Sequence, residues 1–386
     1  MKIKIKTLSP LHIGGKEVSL SPLNYVILNG KCYVINEDRL SERLYEQRKL
    51  KEFVDFVIKE GERVDIRRFL ASHSFLNSAF LNSTASYFTT CEGRVYGNIK
   101  PFIRDAFARP YIPGSSIKGS LRTSIMYVIL KRMKESARRK ILDEFVLERI
   151  NEYKKDPRGR KGYARFREKF KKWFAEKLDK SIFKSFALKG KRGYDAHYDI
   201  LRYLKVTDST PLSKNSLRVE EVKIYSPGSR ENFKRWSIFV ECVPPGVEFE
   251  FQIDIDKDML EEFKKDNPRI PYDIDAEELY NILLHPLEAA KEKTCDLLEE
   301  EKAFLLQNTE FRQVLEFDEG EPNFRLGWGQ GLLGATVDLL LPETLRQELR
   351  NTFFKNCGKA PAPKSRKVMM NGKRQTFGWC KVEIVV

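Results

Sequence analysis

The stretch Ile112-Pro-Gly-Ser-Ser-Ile-Lys-Gly-Ser-Leu-Arg122 begins the clearest helix of the sequence. Apolar residues recur at helical spacing from this point and predict one buried stripe: Ile117, Leu121, Ile125, Val128, Ile129 and Met133. A helix with one apolar face needs a sheet or another helix to cover that face. The stretch therefore predicts a core helix, around which the rest of the chain has to be arranged.

The start of this helix also has features of an anion-binding site. Ser115 or Ser116 suits the N-cap position, and the free backbone amides that follow can bind an anion. Lys118 and Arg122 lie three and seven residues after Ser115, on the same face. Gly119 costs about 1 kcal/mol inside a helix, so we expect another backbone, such as a phosphate chain, to approach there. The alternative is an ordinary capped helix with solvated Lys and Arg side chains.

A second motif, Phe324-Arg-Leu-Gly-Trp-Gly-Gln-Gly-Leu-Leu-Gly334, is rich in glycine. Its spacing matches the dinucleotide-binding fingerprint, but that fingerprint requires a buried strand before it. The preceding residues 316–323 are acidic and turn-like, so we reject a dinucleotide site. We instead predict a loop whose amides and Arg325 follow a sugar–phosphate backbone, with Trp328 able to stack on a base. A tight turn packed on a sheet is the alternative.

Charge is distributed unevenly along the 386 residues, whose net charge is +15. Residues 154–192 contain 16 basic and 4 acidic residues, whereas residues 258–321 contain 7 basic and 19 acidic ones. Such polarity is typical of a protein that binds a polyanion on one face and proteins on another. A soluble basic protein with a solvated acidic helix would show the same pattern.

The basic residues of 154–192 are interleaved with aromatic ones. Phe166, Phe170, Trp173 and Phe174 share a helical face, which more often indicates a core contact than base stacking. The opposite face carries Lys and Arg side chains that either neutralise phosphates or are solvated. Non-specific affinity for nucleic acid is the interpretation that we adopt for this segment.

Several classes of protein are excluded by what the sequence lacks. The six cysteines form no Cys-x-x-Cys pair, which indicates free thiols in a reducing cytoplasm. No stretch approaches the ~20 apolar residues of a membrane-spanning helix. Asp254-x-Asp256-x-Asp258 lacks the glycine and glutamate of a calcium loop. We therefore predict a cytoplasmic protein without a metal, a cofactor or a membrane partner.

His12, in Pro10-Leu-His-Ile-Gly-Gly15, follows the first predicted strand and precedes two glycines. It is a candidate general base or ligand contact, although lone histidines are more often structural. No second His or Lys at a helpful spacing accompanies it, and no common hydrolase motif occurs. The sequence therefore predicts no catalytic constellation.

The order of predicted strands and helices favours an α+β fold. Residues 2–8 are predicted to form a strand, and short strands flank Asn29-Gly30 and Asn371-Gly372, dipeptides typical of β-hairpins. We predict two ferredoxin-like (RRM-like) units with helices between them. The chain is divided accordingly into an N-terminal ferredoxin-like domain, 1–130, a basic helical insertion, 131–200, and a C-terminal domain with acidic helices and the glycine-rich loop, 201–386.

These motifs resemble those of the CRISPR-associated RAMP superfamily, above all residues 112–123 and Arg325-Leu-Gly-Trp-Gly-Gln-Gly331. Four further segments narrow the resemblance: Thr7-Leu-Ser-Pro-Leu-His-Ile-Gly14, Leu204-Lys-Val-Thr-Asp-Ser209, Pro363-Lys-Ser-Arg-Lys367 and Phe377-Gly-Trp-Cys-Lys381. In this order they are similar to the family of the fifth Csm subunit of type III-A CRISPR effector complexes. The segments 154–192 and 258–321 match none of the motifs of that family.

The resemblance implies RRM-like RAMP domains in a non-catalytic subunit that binds CRISPR RNA (crRNA). It further implies that this subunit caps the backbone filament near the crRNA 3′ end and supports crRNA maturation. The implied partners are neighbouring Csm subunits, the backbone RAMP subunit first among them, and a recruited cellular ribonuclease. The positions that match the family motifs, and are therefore candidates for RNA binding, are His12, Gly114, Ser115, Ser116, Lys118, Arg122, Arg325, Gly327, Gly329, Gln330, Gly331, Lys364 and Arg366.

Two functions from other classes stay open. Some RAMP proteins are metal-independent endoribonucleases that cut CRISPR repeats, and His12 would then have an acid or base role. The chain could also be a protein adaptor whose acidic residues 258–321 recruit a nuclease.

Overall fold

The structure is a computed structural model that describes residues 1–385 except 16–18, 161–163, 185, 189, 194, 228–231, 269, 271–272, 307–314, 319, 355–357 and 371. The strands are β1 (Lys2–Thr7), β2 (Tyr25–Leu28), β3 (Lys31–Ile35), β4 (Ala85–Cys91), β5 (Ile99–Lys100), β6 (Ala187–Leu188), β7 (Lys191–Arg192), β8 (Leu204–Val206), β9 (Arg218–Tyr225), β10 (Ile238–Cys242), β11 (Glu248–Ile255), β12 (Phe324–Arg325), β13 (Arg366–Met369) and β14 (Trp379–Val385). The helices are α1 (Glu37–Glu46), α2 (Leu50–Glu60), α3 (Ile66–Ser72), α4 (Ser78–Thr84), α5 (Gly114–Arg132), α6 (Glu135–Arg138), α7 (Phe145–Lys155), α8 (Pro157–Arg160), α9 (Ala164–Phe183), α10 (Lys257–Asp266), α11 (Ala276–Leu284), α12 (Pro286–Leu306), α13 (Gly331–Ala335) and α14 (Glu343–Phe353). Short 3₁₀ turns cover Gly61–Arg63, Ala196–Tyr198, Ile200–Tyr203 and Asp338–Leu340, and a π-helical turn covers Arg139–Glu144.

The first and last strands of the chain lie side by side in the first sheet. This sheet is antiparallel and has the strand order β12-β14-β1-β11-β8. Without the edge strand β12, the elements β1, α5, β8, β11, α12 and β14 form a β-α-β-β-α-β unit with the strand order 4-1-3-2 of a ferredoxin-like domain. The α+β, ferredoxin-like prediction is confirmed.

The predicted apolar stripe of α5 forms the centre of the main core. All six of its residues are buried, and they cluster with Ile3 and Ile5 of β1 and with Ala289 and Ala290 of α12. In β1 the two isoleucines alternate with lysines on the opposite face, as the two-residue period of a strand requires. The helix predicted from sequence therefore covers the sheet that the two ends of the chain form.

The second sheet has the order β2-β3-β4-β9-β10-β5, and β13 pairs with β9. The predicted hairpin of β2 and β3 is confirmed, with Asn29 (φ 51°) and Gly30 (φ 71°) both in the left-handed region. The later Asn-Gly hairpin is reduced to β13 and one bridge between Val368 and Thr376, while Asn371 lies outside the described residues. Helices α1–α4 pack on β2 and β3 through a separate apolar cluster.

Consecutive helices α6–α9 occupy the region of the predicted basic insertion. Within it, Phe166 stacks on Tyr153 with ring centroids 5.6 Å apart, which is a core contact as expected. The side chains of Phe170, Trp173 and Phe174 lie outside the described residues. Both large sheets draw strands from residues 1–130 and from residues 201–386, and the boundaries of the three-part division stay a prediction.

A buried carboxylate connects the strands of the second sheet to the segment before α5. Glu241 of β10 is fully buried and accepts hydrogen bonds from the Phe102 amide (3.0 Å), Arg104 Nη2 (3.3 Å) and the Tyr87 hydroxyl (3.4 Å). Burial raises the pKa of Glu241, and the charge of Arg104 opposes that shift. The Arg104 guanidinium also lies 3.5 Å from the centre of the Tyr87 ring.

Replacing Arg104 by methionine should destabilise the fold. The variant keeps an aliphatic side chain over Tyr87 but leaves the buried Glu241 carboxylate without its cation, a change that typically costs about 3–5 kcal/mol. Urea unfolding of R104M should show this loss in the free energy of unfolding. The double variant R104M/E241Q, which removes the charge as well, should recover at least ~1 kcal/mol. Equal stability of the single and double variants would contradict the role given to the ion pair.

Candidate nucleic-acid interface

Three motif segments that are far apart in sequence meet between the two sheets. The Trp328 amide donates to the His12 carbonyl (2.7 Å), and Ser120 Oγ of α5 donates to the Arg325 carbonyl (2.7 Å). His12 in turn donates from Nδ1 to the Glu241 carbonyl of the second sheet (2.7 Å). We call this region the seam and define it as residues 10–15, 112–122 and 325–334.

The glycines of the seam serve two different purposes. A Cβ on Gly327 (φ 78°) would lie 2.5 Å from the His12 carbonyl oxygen, and one on Gly329 (φ 93°) would lie 2.8 Å from Phe377. These two positions fit the alternative of a turn packed on a sheet. Gly331 (φ 73°) is exposed and its Cβ would meet no atom within 4 Å in the part of the chain that the structure describes, so its backbone is open to a ligand. Gln330 lies beside it, half-buried, and donates to the Gly327 carbonyl (2.9 Å).

The predicted cap of α5 is wrong. The N-cap residue is Pro113, and neither Ser115 nor Ser116 caps the helix. Instead the Gly114 amide donates to an Asp208 carboxylate oxygen (2.7 Å), because this glycine packs directly against the backbone of residues 206–207. The Asp208 carboxylate therefore accepts a hydrogen bond from one of the backbone amides that the sequence predicted to be free for a bound anion.

The exposed side of the helix start remains accessible. Ser115 and Gly119 are exposed and Ser116 is half-buried. A Cβ on Gly119 would meet nothing within 4 Å outside its own helix, so no backbone of the described residues makes the close approach that we expected there. Gly119 therefore leaves room for the backbone of a bound molecule.

The basic residues of the α5 motif have partners within the protein. Lys118 Nζ donates to the Leu204 carbonyl (2.5 Å), and burial lowers the pKa of Lys118. Arg122 bonds Asp179 of α9 (2.6 Å) and forms an ion pair with Asp199 (2.8 Å). Both side chains thus tie α5 to neighbouring elements, and their contribution to RNA binding stays a prediction.

The two arginines of the later motifs are inside the protein. Arg325 is only 5% exposed, its guanidinium lies 3.7 Å from the Trp379 ring centre, and burial lowers its pKa to about 10. Arg366 is buried in an ion pair with Glu301 (2.5 Å), whereas Lys364 is half-buried. Sequence patterns do not distinguish an arginine that holds α12 to a strand from one that meets a ligand.

His12 is buried at the centre of the seam, with 2% of its surface exposed. Because Nδ1 donates to a carbonyl, Nε2 carries the lone pair of the neutral ring. The ring makes an edge contact with Trp328 at 5.6 Å between centroids. Burial, followed by the positive charges of Lys100 and Lys367, lowers the pKa of His12 to about 4. Lys100 lies outside the motif segments, and Lys367 ends the segment Pro363–Lys367 without being among the candidates for RNA binding.

Much of the acidic segment is neutralised from within the protein. Lys131 of α5 pairs with Glu292 (3.1 Å) and Asp296 (2.5 Å). Arg132 pairs with Glu278 (3.0 Å) and also with Glu292. The basic C-terminal end of α5 therefore faces α11 and α12, and part of the charge polarity seen in the sequence cancels at this contact.

The described residues contain no helix that is long and apolar enough to cross a membrane. Within the same part of the chain, no group of three or more His, Cys, Asp or Glu residues is arranged to hold a metal ion.

The family model of the RAMP superfamily matches residues 4–330. The CRISPR system Cms protein Csm5 of Streptococcus thermophilus is 26% identical over 264 residues, which are 65% of this chain and 63% of that protein. The protein of the same description from Methanocaldococcus jannaschii is 28% identical over 132 residues, which are 33% of this chain and 30% of the relative. The chain thus spans less than two thirds of the length of either curated relative.

Two solved structures resemble the whole chain. One is a chain from a cryo-EM structure of the Csm-crRNA-target RNA ternary complex of a type III-A CRISPR-Cas system, with a TM-score of 0.69 and 24% identity over 99% of this chain and 100% of that one. The other is the crystal structure of T. onnurineus Csm5, with a TM-score of 0.64 and 21% identity over 98% of this chain and 99% of that one. At this identity the likeness shows the shared fold.

The buried neutral His12 should make stability depend on pH. Its pKa is about 4 in the folded protein and about 6.5 when unfolded, so its contribution is complete above pH 6.5 and is lost as the pH falls towards 4. The loss attributable to His12 is on the order of 3 kcal/mol. In H12N the side-chain amide can still donate to Glu241 but does not titrate. Urea unfolding between pH 7.5 and 4.5 should therefore show the gap between H12N and the wild type narrowing in acid.

The exposed His285 provides the control, because the same replacement there leaves the buried contact between His12 and Glu241 in place. H285N should follow the pH dependence of the wild type. Parallel stability curves for H12N and the wild type would contradict the burial of a neutral His12.

Proposed function

The chain belongs to the RAMP superfamily, and from this membership we propose that it is a crRNA-binding, non-catalytic subunit of a type III-A CRISPR (Csm) effector complex. Both curated relatives are described as Csm5. A chain of similar fold occurs in a complex with crRNA and target RNA. In this proposal the chain caps the backbone filament near the crRNA 3′ end and supports crRNA maturation.

The observation that carries the RNA-binding proposal is the meeting of the three motif segments in one seam. Gly331, Gly119 and Ser115 are exposed, and a Cβ on either glycine would meet no atom of the described part of the chain within 4 Å outside its own helix. Backbone amides and small residues let a phosphate chain come close without reading base identity. Binding at the seam should accordingly depend on salt and hardly on sequence.

The environment of His12 supports a non-catalytic role over the ribonuclease alternative. A general acid or base has to come within hydrogen-bond distance of the reacting group. His12 is buried, and its Nδ1 is committed to the Glu241 carbonyl. Trp328 also packs against the edge of the ring. The histidine in this arrangement holds the seam together.

The proposed protein partners are the backbone RAMP subunit and other Csm subunits, and a cellular ribonuclease recruited for crRNA trimming. The acidic helices are the proposed surface for the nuclease. Several carboxylates of these helices already pair with α5, so recruitment would use the remaining ones, such as the exposed Glu277 and Glu299.

A charge placed at Gly331 should weaken RNA binding. Asn and Asp are the non-glycine residues that best tolerate a positive φ, so G331N and G331D carry similar backbone strain and differ by one charge. Repulsion between the new carboxylate and a phosphate about 6 Å away is on the order of 1 kcal/mol. We expect G331D to bind a labelled single-stranded RNA about five-fold more weakly than G331N. The dissociation constants are measured by fluorescence anisotropy in about 50 mM KCl, a salt concentration low enough to keep the phosphate contacts strong.

The same pair at an exposed position of α14, outside the residues that define the seam, serves as the control: N351D against the wild type. Equal dissociation constants for G331D and G331N would remove Gly331 from the interface.

The pure protein should not cut CRISPR repeat RNA. Incubation of the wild type with repeat RNA and EDTA, followed by denaturing electrophoresis, is expected to leave the RNA intact because His12 has no access to it. Specific cleavage that is lost in H12N would overturn the non-catalytic proposal in favour of a metal-independent endoribonuclease.

A further inference from the structure

Two lysines from different strands lie on one face of the second sheet. Lys100 of β5 is opposite Val240 of β10, which is opposite Glu220 of β9. Lys367 of β13 is opposite Ile224 of β9. Because alternate residues of a strand share a face, Glu220 and Ile224 point the same way. The register therefore brings both lysines to the same face, although 267 positions separate them in sequence.

This face of the second sheet is the one that meets the seam. Val222 and Val240 cluster there with Phe377, and Trp328 of the glycine-rich loop packs against the cluster. Lys367 Nζ lies 4.1 Å from the centre of the Trp328 ring, which holds the ammonium group by a cation–π interaction. The two lysines thus adjoin the seam and are not isolated surface charges.

The positive charges of the two lysines oppose each other, and no carboxylate within the described ranges offsets them with an ion pair. Burial lowers the pKa of Lys367, and the charge of Lys100 lowers it further. Among the residues that the structure describes, no carboxylate forms an ion pair with either lysine, whereas the buried Glu220 on this face pairs with Arg218 (2.5 Å). Like charges held together in this way are relieved when an anion binds between them.

We propose that Lys100 and Lys367 bind the phosphate backbone of a single-stranded RNA that lies across this face, with Trp328 positioning Lys367. The proposal rests on the proposed function of the seam and extends the RNA path from Gly331 and the α5 start onto the second sheet. Neither lysine belongs to the set of residues that the motifs nominated.

The double variant K100Q/K367Q tests the proposal against a matched control. K373Q/K381Q removes the same charge from two lysines that pair with Asp318 (2.8 Å) and Glu383 (2.7 Å). Dissociation constants for a labelled single-stranded RNA are measured across a series of KCl concentrations, with thermal unfolding as a check that all variants are folded. Loss of one phosphate contact lowers the slope of log K against log salt by roughly 0.7. We expect K100Q/K367Q to show this lower slope and about ten-fold weaker binding in low salt. The control K373Q/K381Q should keep both the slope and the affinity of the wild type.

Equal weakening in both double variants would assign the effect to overall charge and overturn the proposal. Displacement of the RNA by pyrophosphate at constant ionic strength, in the wild type but not in K100Q/K367Q, would show a site for free phosphate and overturn it as well. If the wild type binds RNA and G331D weakens that binding while K100Q/K367Q does not, this inference alone fails. If the wild type does not bind RNA, the proposed function fails with it.

Discussion

The fold depends on the pairing of β1 with β14, the last strand of the chain, and with β11, which lies about 245 positions after it. Lys2–Thr7 is bonded along one edge to β14 and along the other to β11. Its inward-facing Ile3 and Ile5 are fully buried in the same cluster as the stripe of α5. The central ferredoxin-like sheet is therefore complete only when residues about 380 positions apart have met. Pairings of such sequence separation have a large loop-closure cost and depend on the contacts formed between them.

The second sheet, the basic helices and the acidic helices are all excursions between strands of this first sheet. The two sheets are joined where the His12 ring meets the Glu241 carbonyl and where the glycine-rich loop packs on His12. Packing thus determines the shape of the seam, since Gly327 allows the loop to touch another backbone. A ligand can contact only those atoms of the seam that this packing leaves exposed.

The arginines of the motifs, like the glycines, serve contacts inside the protein. Arg122, Arg325 and Arg366 carry positive charge in the motifs, yet each is engaged by a carboxylate or an aromatic ring inside the protein. Net charge by segment therefore overstates the positive surface that is free for a polyanion. A buried cation that has lost its water is held by such partners, because the cost of burying it unpaired would be several kcal/mol. Among the described residues neither Lys100 nor Lys367 forms an ion pair with a carboxylate, and Lys367 is held by the Trp328 ring instead.

The sequence by itself determined the elements whose signals are local. The 3.6-residue period predicted the buried face of α5, the Asn29-Gly30 dipeptide predicted a hairpin, and the ordered motifs predicted the family. Only the tertiary structure decided how the distant strands pair, that Asp208 takes the first amide of α5, and that Lys100 and Lys367 lie on the same face of the second sheet. The physical reason is the sequence separation over which each signal acts. Periodicity and turn preference are properties of neighbouring dihedral angles, whereas a pairing partner or a counter-charge is chosen by contacts between residues that are hundreds of positions apart.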